Sequence, residues 1–232
     1  MSRVAPRIAG ACALALMGIG PLSLLWIPQQ TVRPGDLAAT AALQAADPLL
    51  VRLGLLGELG IVVIELVMAL ALLAMFEHTQ RHGARLVAVS RLAMAGGQLV
   101  TALAGVGALA MFVDGAVGPG GGLLALRGAA TLGWQGLFGV HCALLGAVML
   151  RQTTIPRVFG VGMVAAALGY LVIGFGGLLL PEHQPLLSSG PVLAFTLGEV
   201  PFFLWLLVGG WRDPANRGMM ASAGPTQSHR GP

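Results

Sequence analysis

The residues of this chain that could do chemistry are few, and they lie inside apolar runs. Glu58 and Glu65 fall in LGELGIVVIELVMAL, Arg91 and Gln98 in SRLAMAGGQLV, and Gln135 and His141 in WQGLFGVHCALL. Tyr170 falls in ALGYLV and Glu199 in LGEVPFF. Carboxylates and an imidazole can hold or pass a proton, and a guanidinium beside them can neutralise a charge or grip an anion. A metal-assisted alternative uses His141 with Glu65 and Glu199 as ligands. That alternative lacks HxxxH or HExxH spacing, and Cys142 points to another face of its helix. Ser90 and Thr101 have no base at a suitable spacing to act as nucleophiles. GPGGG at 118–122 lacks the lysine and the strand of a phosphate loop, so no motif calls for a cofactor.

Spacing groups these side chains. Glu58 and Glu65 are seven residues apart, as are Arg91 and Gln98, so each pair shares a helix face. His141 and Gln135 are six apart, which assigns Gln135 to another side. Counted at about 1.5 Å per residue from the ends of their runs, Glu65, Gln98, His141, Tyr170 and Glu199 fall near one level. Arg91 comes within bridging reach of Glu65, and such a pair neutralises two expensive charges at once. The expectation is a buried polar centre of Glu65, Arg91, Gln98, His141, Tyr170 and Glu199, with Glu58 and Gln135 secondary.

The elements that position these groups must be membrane spans. The 232 residues are 56% hydrophobic and 9% charged, with mean hydropathy +0.84, whereas a soluble domain carries about a quarter charged residues. At about 20 apolar residues per crossing, six segments qualify: 8–27, 53–76, 86–113, 128–150, 158–180 and 192–211. The fold class is therefore all-α, a polytopic bundle of six transmembrane helices. The first segment has a charged start but no small-residue cleavage site, and it reads as a span. Asp47 and Pro48 form an N-cap and first helical position, which starts the second helix early. The long loop 28–52 reads either as a short surface helix capped by Asp36 or as a loose connector. The stretch 114–127, with GAVGPGGG, reads as a flexible loop. Residues 212–232 lack any apolar period and read as a disordered cytoplasmic tail.

Orientation follows from the arginines, since the chain has no lysine. With the N-terminus inside, Arg3, Arg7, Arg81, Arg85, Arg151, Arg157, Arg212, Arg217 and Arg230 are cytoplasmic. Arg33, Arg52 and Arg127 are outside, and Arg91 is intramembrane. This implies a multi-pass membrane protein with both termini cytoplasmic. Its basic residues are scattered among loops, so the basic pI near 10.4 points to no nucleic-acid partner. Cys12 and Cys142 lie in apolar runs and read as buried hydrophobes. Small residues at Gly54, Gly57 and Gly60, and at Gly139, Ala143 and Gly146, mark helix contact faces. Pro201 reads as a tolerated membrane proline or as a kink that aims Glu199 or frees a backbone carbonyl near it. The first three spans do not repeat in the last three beyond a glutamate in the second and sixth.

RIAG at 7–10, FGVHCALLGAVML at 138–150, IPRVFGVGMVAAALGYL at 155–171 and GEVPFFLWLLVGG at 198–210 together resemble the bacterial domain-of-unknown-function family numbered 4386. The resemblance covers nearly the whole chain and implies a six-span integral membrane protein. The family's recurrent residues fall here on His141, Pro156, Arg157, Gly160, Gly169, Tyr170, Glu199, Leu204 and Trp205. Where the family often has a serine before the proline, this chain has Gln152, Thr153 and Thr154. The resemblance implies no activity. Three functions stand: a small transporter or ligand-binding protein for a small molecule or proton, an intramembrane metal-assisted hydrolase, and a structural or regulatory membrane component. The lipid bilayer is the one partner common to all three, and no residue pattern specifies an oligomeric state.

Overall fold

The computed structural model describes residues 4–209; the stretch expected to form a tail, 212–232, and the end of the last segment at 211 lie outside them. The described chain is all-helical, with six helices long and apolar enough to cross a membrane. In chain order they are α1 (Val4–Thr31), α3 (Pro48–Phe76), α4 (Arg81–Val113), α5 (Val117–Leu150), α6 (Arg157–Leu179) and α7 (Gly190–Leu207). Between the first two lies the short helix α2 (Leu37–Ala46). The bilayer explains why leucines such as Leu53, Leu56 and Leu70 can stay exposed around the rim, since lipid solvates them.

Local chemistry sets the starts of the helices. The Asp36 side chain accepts from the Ala39 amide at 2.9 Å and caps α2, whose Thr40, Ala41 and Gln44 are buried. The Asp47 side chain accepts from the Leu50 amide at 3.0 Å, and Pro48 follows as the first residue of α3.

The flexible loop expected at 114–127 is not there. Only a tight turn follows α4, with Gly115 at φ +77, a left-handed conformation that suits glycine. From Val117 onward the chain is helical. Glycine weakens a helix by about 1 kcal/mol per residue relative to alanine, yet here packing decides. A Cβ on Gly120 would sit 2.5 Å from the Phe112 ring, and one on Gly121 would sit 2.5 Å from Leu37. The glycines let α5 run close against α4 and α2.

The spans close into a ring. α3 packs on α4, α4 on α5, α5 on α6 and α6 on α7, while α1 touches both α3 and α7. Small residues set the close approaches. Gly139 and Gly146 bring α5 against the α6 backbone at Leu171 and Gly160, and Gly54 and Gly57 bring α3 against Ile27 and Ser23 of α1. Gly60 differs from its expected role, since a Cβ there would meet nothing within 4 Å. The hydrophobic core fills one end of the ring, with Met68, Leu72, Met75, Phe76, Met94, Leu145, Met149, Met163, Phe202 and Leu206 all fully buried. At that end Gln80 donates to the Val148 carbonyl at 2.9 Å and Gln152 donates to Thr79 at 2.6 Å. Gln152, part of the departure from the family pattern, thus ties two loops together.

Three of the spans are irregular along part of their length. α1 contains a π-helical segment, Pro21–Trp26, and α6 another, Val172–Gly176. α7 is interrupted by a 3₁₀ turn at Leu197–Glu199, with Pro201 in the first turn of the helix that resumes at Val200. Such wider or tighter turns displace side chains from the regular stripe and often mark functional positions.

Candidate functional site: a polar centre beside a cavity in the bundle

Arg91 is the hub of the site. It projects from α4 and is 2% exposed, which at membrane depth requires partners for its charge. Its Nε donates to Glu65 Oε2 of α3 at 2.5 Å, and its Nη1 donates to His141 Nε2 of α5 at 2.8 Å. His141 Nδ1 lies 3.1 Å from the Val87 carbonyl and 3.1 Å from Ser90 Oγ. Arg91 can only donate and the Val87 carbonyl can only accept, so this pattern assigns the neutral ring with hydrogen on Nδ1. Ser90 Oγ donates to the same carbonyl at 2.9 Å. The serine therefore steadies the histidine.

An aromatic ladder follows on α5. Trp134, Phe138 and His141 are spaced four and three residues apart, and their rings lie nearly parallel. Trp134 and Phe138 centroids are 6.2 Å apart, and those of Phe138 and His141 are 6.0 Å apart. The Arg91 guanidinium lies 5.8 Å from the centre of the Phe138 ring, within cation–π range. Tyr170 of α6 packs edge-on against Phe138 at 4.5 Å and donates its hydroxyl to Glu199 Oε1 of α7 at 3.2 Å.

These groups surround a cavity of about 190 Å³ between α1 and the other spans. Glu65, Arg91, Trp134, Phe138, Tyr170 and Glu199 line one side, and Ala13, Leu16, Met17, Gly20 and Leu24 of α1 line the other. Met17 is 43% exposed on the bundle's outer surface, so the α1 wall is also the wall toward lipid. The Trp134 Nε1 hydrogen is buried and has no acceptor. Arg91 Nη2 also makes no hydrogen bond among the described residues. Glu199 forms no ion pair among them.

A second polar node lies farther along α3. Glu58 Oε1 pairs with Nη2 of Arg127 from α5. Arg127 Nη1 donates to the Thr101 carbonyl at 3.1 Å, and Gln98 donates to Glu58 Oε2 at 3.5 Å. Gln98 Oε1 is buried without a donor. A small cavity of about 40 Å³ borders this node, lined in part by Ser23, Gln44, Glu58 and Arg127.

The expected centre is thus divided in two. Glu65, Arg91 and His141 are joined by hydrogen bonds, and Tyr170 with Glu199 shares their cavity. Gln98 belongs with Glu58 instead, about two helical turns away along its own helix from Arg91. Gln135 is half-buried and makes no hydrogen bond among the described residues. Arg127 is a correction: it is not in an outer loop but inside α5, paired with Glu58. The reason is the early start of α5, which adds three turns before the expected span. One signal was available, because Arg127, Thr131, Trp134, Phe138 and His141 recur every three or four residues on a single stripe. Among the described residues no three of His, Cys, Asp and Glu are grouped to hold a metal ion.

The family model described as "Domain of unknown function (DUF4386)" matches residues 8–210. The chain belongs to this family. The match takes in all six spans and both polar nodes, so the geometry described here lies wholly within the family's domain. No curated protein and no solved structure matches the chain.

Proposed function

We propose that this integral membrane protein binds a small amphipathic molecule that enters from the bilayer, and serves as its carrier or receptor. One observation carries the reading: the cavity of about 190 Å³ adjoins the polar centre, and its lining residues include Trp134, whose indole N–H is buried without an acceptor. A buried donor left without an acceptor costs about 1–3 kcal/mol, and a ligand that accepts from Trp134 removes that cost. Apolar walls with a few convergent polar groups are the usual composition of a small-molecule site.

A structural role is the second reading, favoured by the mutual pairing of Glu65, Arg91 and His141. The metal-assisted hydrolase gains no support from a histidine whose two ring nitrogens already have partners. For location, we infer a bacterial inner membrane with both termini cytoplasmic. With Arg127 moved into the bundle, the arginine bias becomes nine inside against Arg33 and Arg52 outside.

The test is native mass spectrometry of the full chain released from gently solubilised membranes, with Gly20→Phe beside it. Gly20 is one of the cavity's lining residues, and a Cβ there would meet nothing within 4 Å, so the position takes a larger side chain without a clash at its first atom. A retained small molecule that the variant loses supports binding. Identical apo spectra, together with equal stability of the two proteins, favour the structural reading.

A further inference from the structure

The charge count at the cavity says what kind of molecule fits it. Glu65 is balanced by Arg91 through the 2.5 Å contact, and His141 is held neutral between a donor and an acceptor. Glu199 is left over. Its one hydrogen bond comes from the neutral Tyr170 hydroxyl, and it forms no ion pair among the described residues. A carboxylate facing an apolar cavity needs either a proton or a cation. Beside it stand the rings of Trp134, Phe138 and Tyr170, whose faces attract organic cations in general. The far wall is aliphatic.

We propose that the cavity takes a lipophilic monocation, an amine or quaternary ammonium on an apolar body, with Glu199 as its counter-ion and the three rings as its cage. This rests on the reading of the cavity as a binding site. The bound cation brings the sum of Glu65, Arg91, Glu199 and ligand to zero; with Glu65 and Arg91 paired as ions, the empty site reaches zero by taking a proton on Glu199. Cation and proton therefore compete for one carboxylate, so that uptake of one releases the other. The other titratable groups whose charge reaches Glu199 are Arg91, Glu65, Tyr170 and Cys142. His141 and Cys12 stand behind the Arg91–Glu65 pair.

The experiment uses the full chain in lipid nanodiscs and three probes of equal chain length. These are octyltrimethylammonium, its uncharged carbon isostere with a tert-butyl head, and 2-decanone, which is neutral but can accept from Trp134. Binding is read by tryptophan fluorescence on wild type, Glu199→Gln and Gly20→Phe. The expected result is that the ammonium binds at least about tenfold more tightly than either neutral probe. That preference disappears in Glu199→Gln, and it weakens as the pH is lowered. Equal binding of the ammonium and 2-decanone to wild type, unchanged in Glu199→Gln but lost in Gly20→Phe, overturns the cation assignment and leaves the cavity as a site for neutral molecules. Absence of saturable binding by all three probes overturns both. Because the probe comparison is made first on wild type, a poorly folded Glu199→Gln does not remove the test.

Discussion

Replacing Arg91 by leucine removes the hub of the site while keeping an apolar side chain in the core. Two charge-assisted contacts go with it, the 2.5 Å bond to Glu65 and the 2.8 Å bond to His141. Glu65, 4% exposed, becomes a lone carboxylate in a dry bundle. Breaking a buried pair from one side costs about 3–5 kcal/mol, because the remaining charge has no partner. The double variant Glu65→Leu with Arg91→Leu leaves only His141 Nε2 unpaired, at about 1–2 kcal/mol. The double variant should thus be more stable than the single one by about 1–4 kcal/mol, a rescue that independent effects cannot produce. Reversible unfolding in mixed micelles, followed by helical circular dichroism, measures all the forms. An Arg91→Leu protein within about 1 kcal/mol of wild type would refute the reasoning, as would a double variant less stable than the single.

The second node behaves the same way at smaller scale. Arg127 is 18% exposed, so Arg127→Gln should cost about 1–3 kcal/mol in the same assay, and adding Glu58→Gln should recover part of it. Gly105 lies directly against the Arg127 guanidinium and Leu55; Gly105→Ala should destabilise by about 1–3 kcal/mol. The nearby Gly96→Ala, with nothing within 4 Å of its Cβ, should be neutral or stabilise by up to about 1 kcal/mol; equal effects at the two glycines would contradict the packing described. Asp36→Ala removes the cap of α2 and should cost about 1 kcal/mol, read locally as faster amide exchange over Leu37–Ala46.

Much of this architecture is legible in the sequence because lipid leaves the backbone few choices. Runs of apolar residues about 20 long must be helical, and Asp47 with Pro48 marks where α3 begins. The pairing of Arg91 with a glutamate is also legible, since two isolated charges in hydrocarbon cost far more than one pair. What depth counted along single helices does not reveal is the register between them. α3 and α4 are consecutive and antiparallel, so with Arg91 paired to Glu65 the Gln98 side chain, two turns farther along α4, meets Glu58, two turns before Glu65. Arg127 reads as an outer-loop arginine because GPGGG has the composition of a loop, while Phe112 and Leu37 pack against Gly120 and Gly121 from outside the segment. The cavity is lined by residues of all six spans, Leu24 of the π-helical turn and Glu199 of the 3₁₀ turn among them, and no local pattern announces either turn.

The central claim is that the cavity beside Arg91 is reached from the bilayer, and Trp134 provides an internal probe of it. Replacing Trp26, Trp205 and Trp211 by phenylalanine leaves Trp134 as the single tryptophan. In nanodiscs, a short brominated alkyl amphiphile that enters the cavity should quench Trp134 saturably, and Gly20→Phe in the same background should abolish the saturable part. Quenching that rises linearly with amphiphile and is equal in the two proteins would mean that Trp134 senses only bulk lipid, and it would contradict the account.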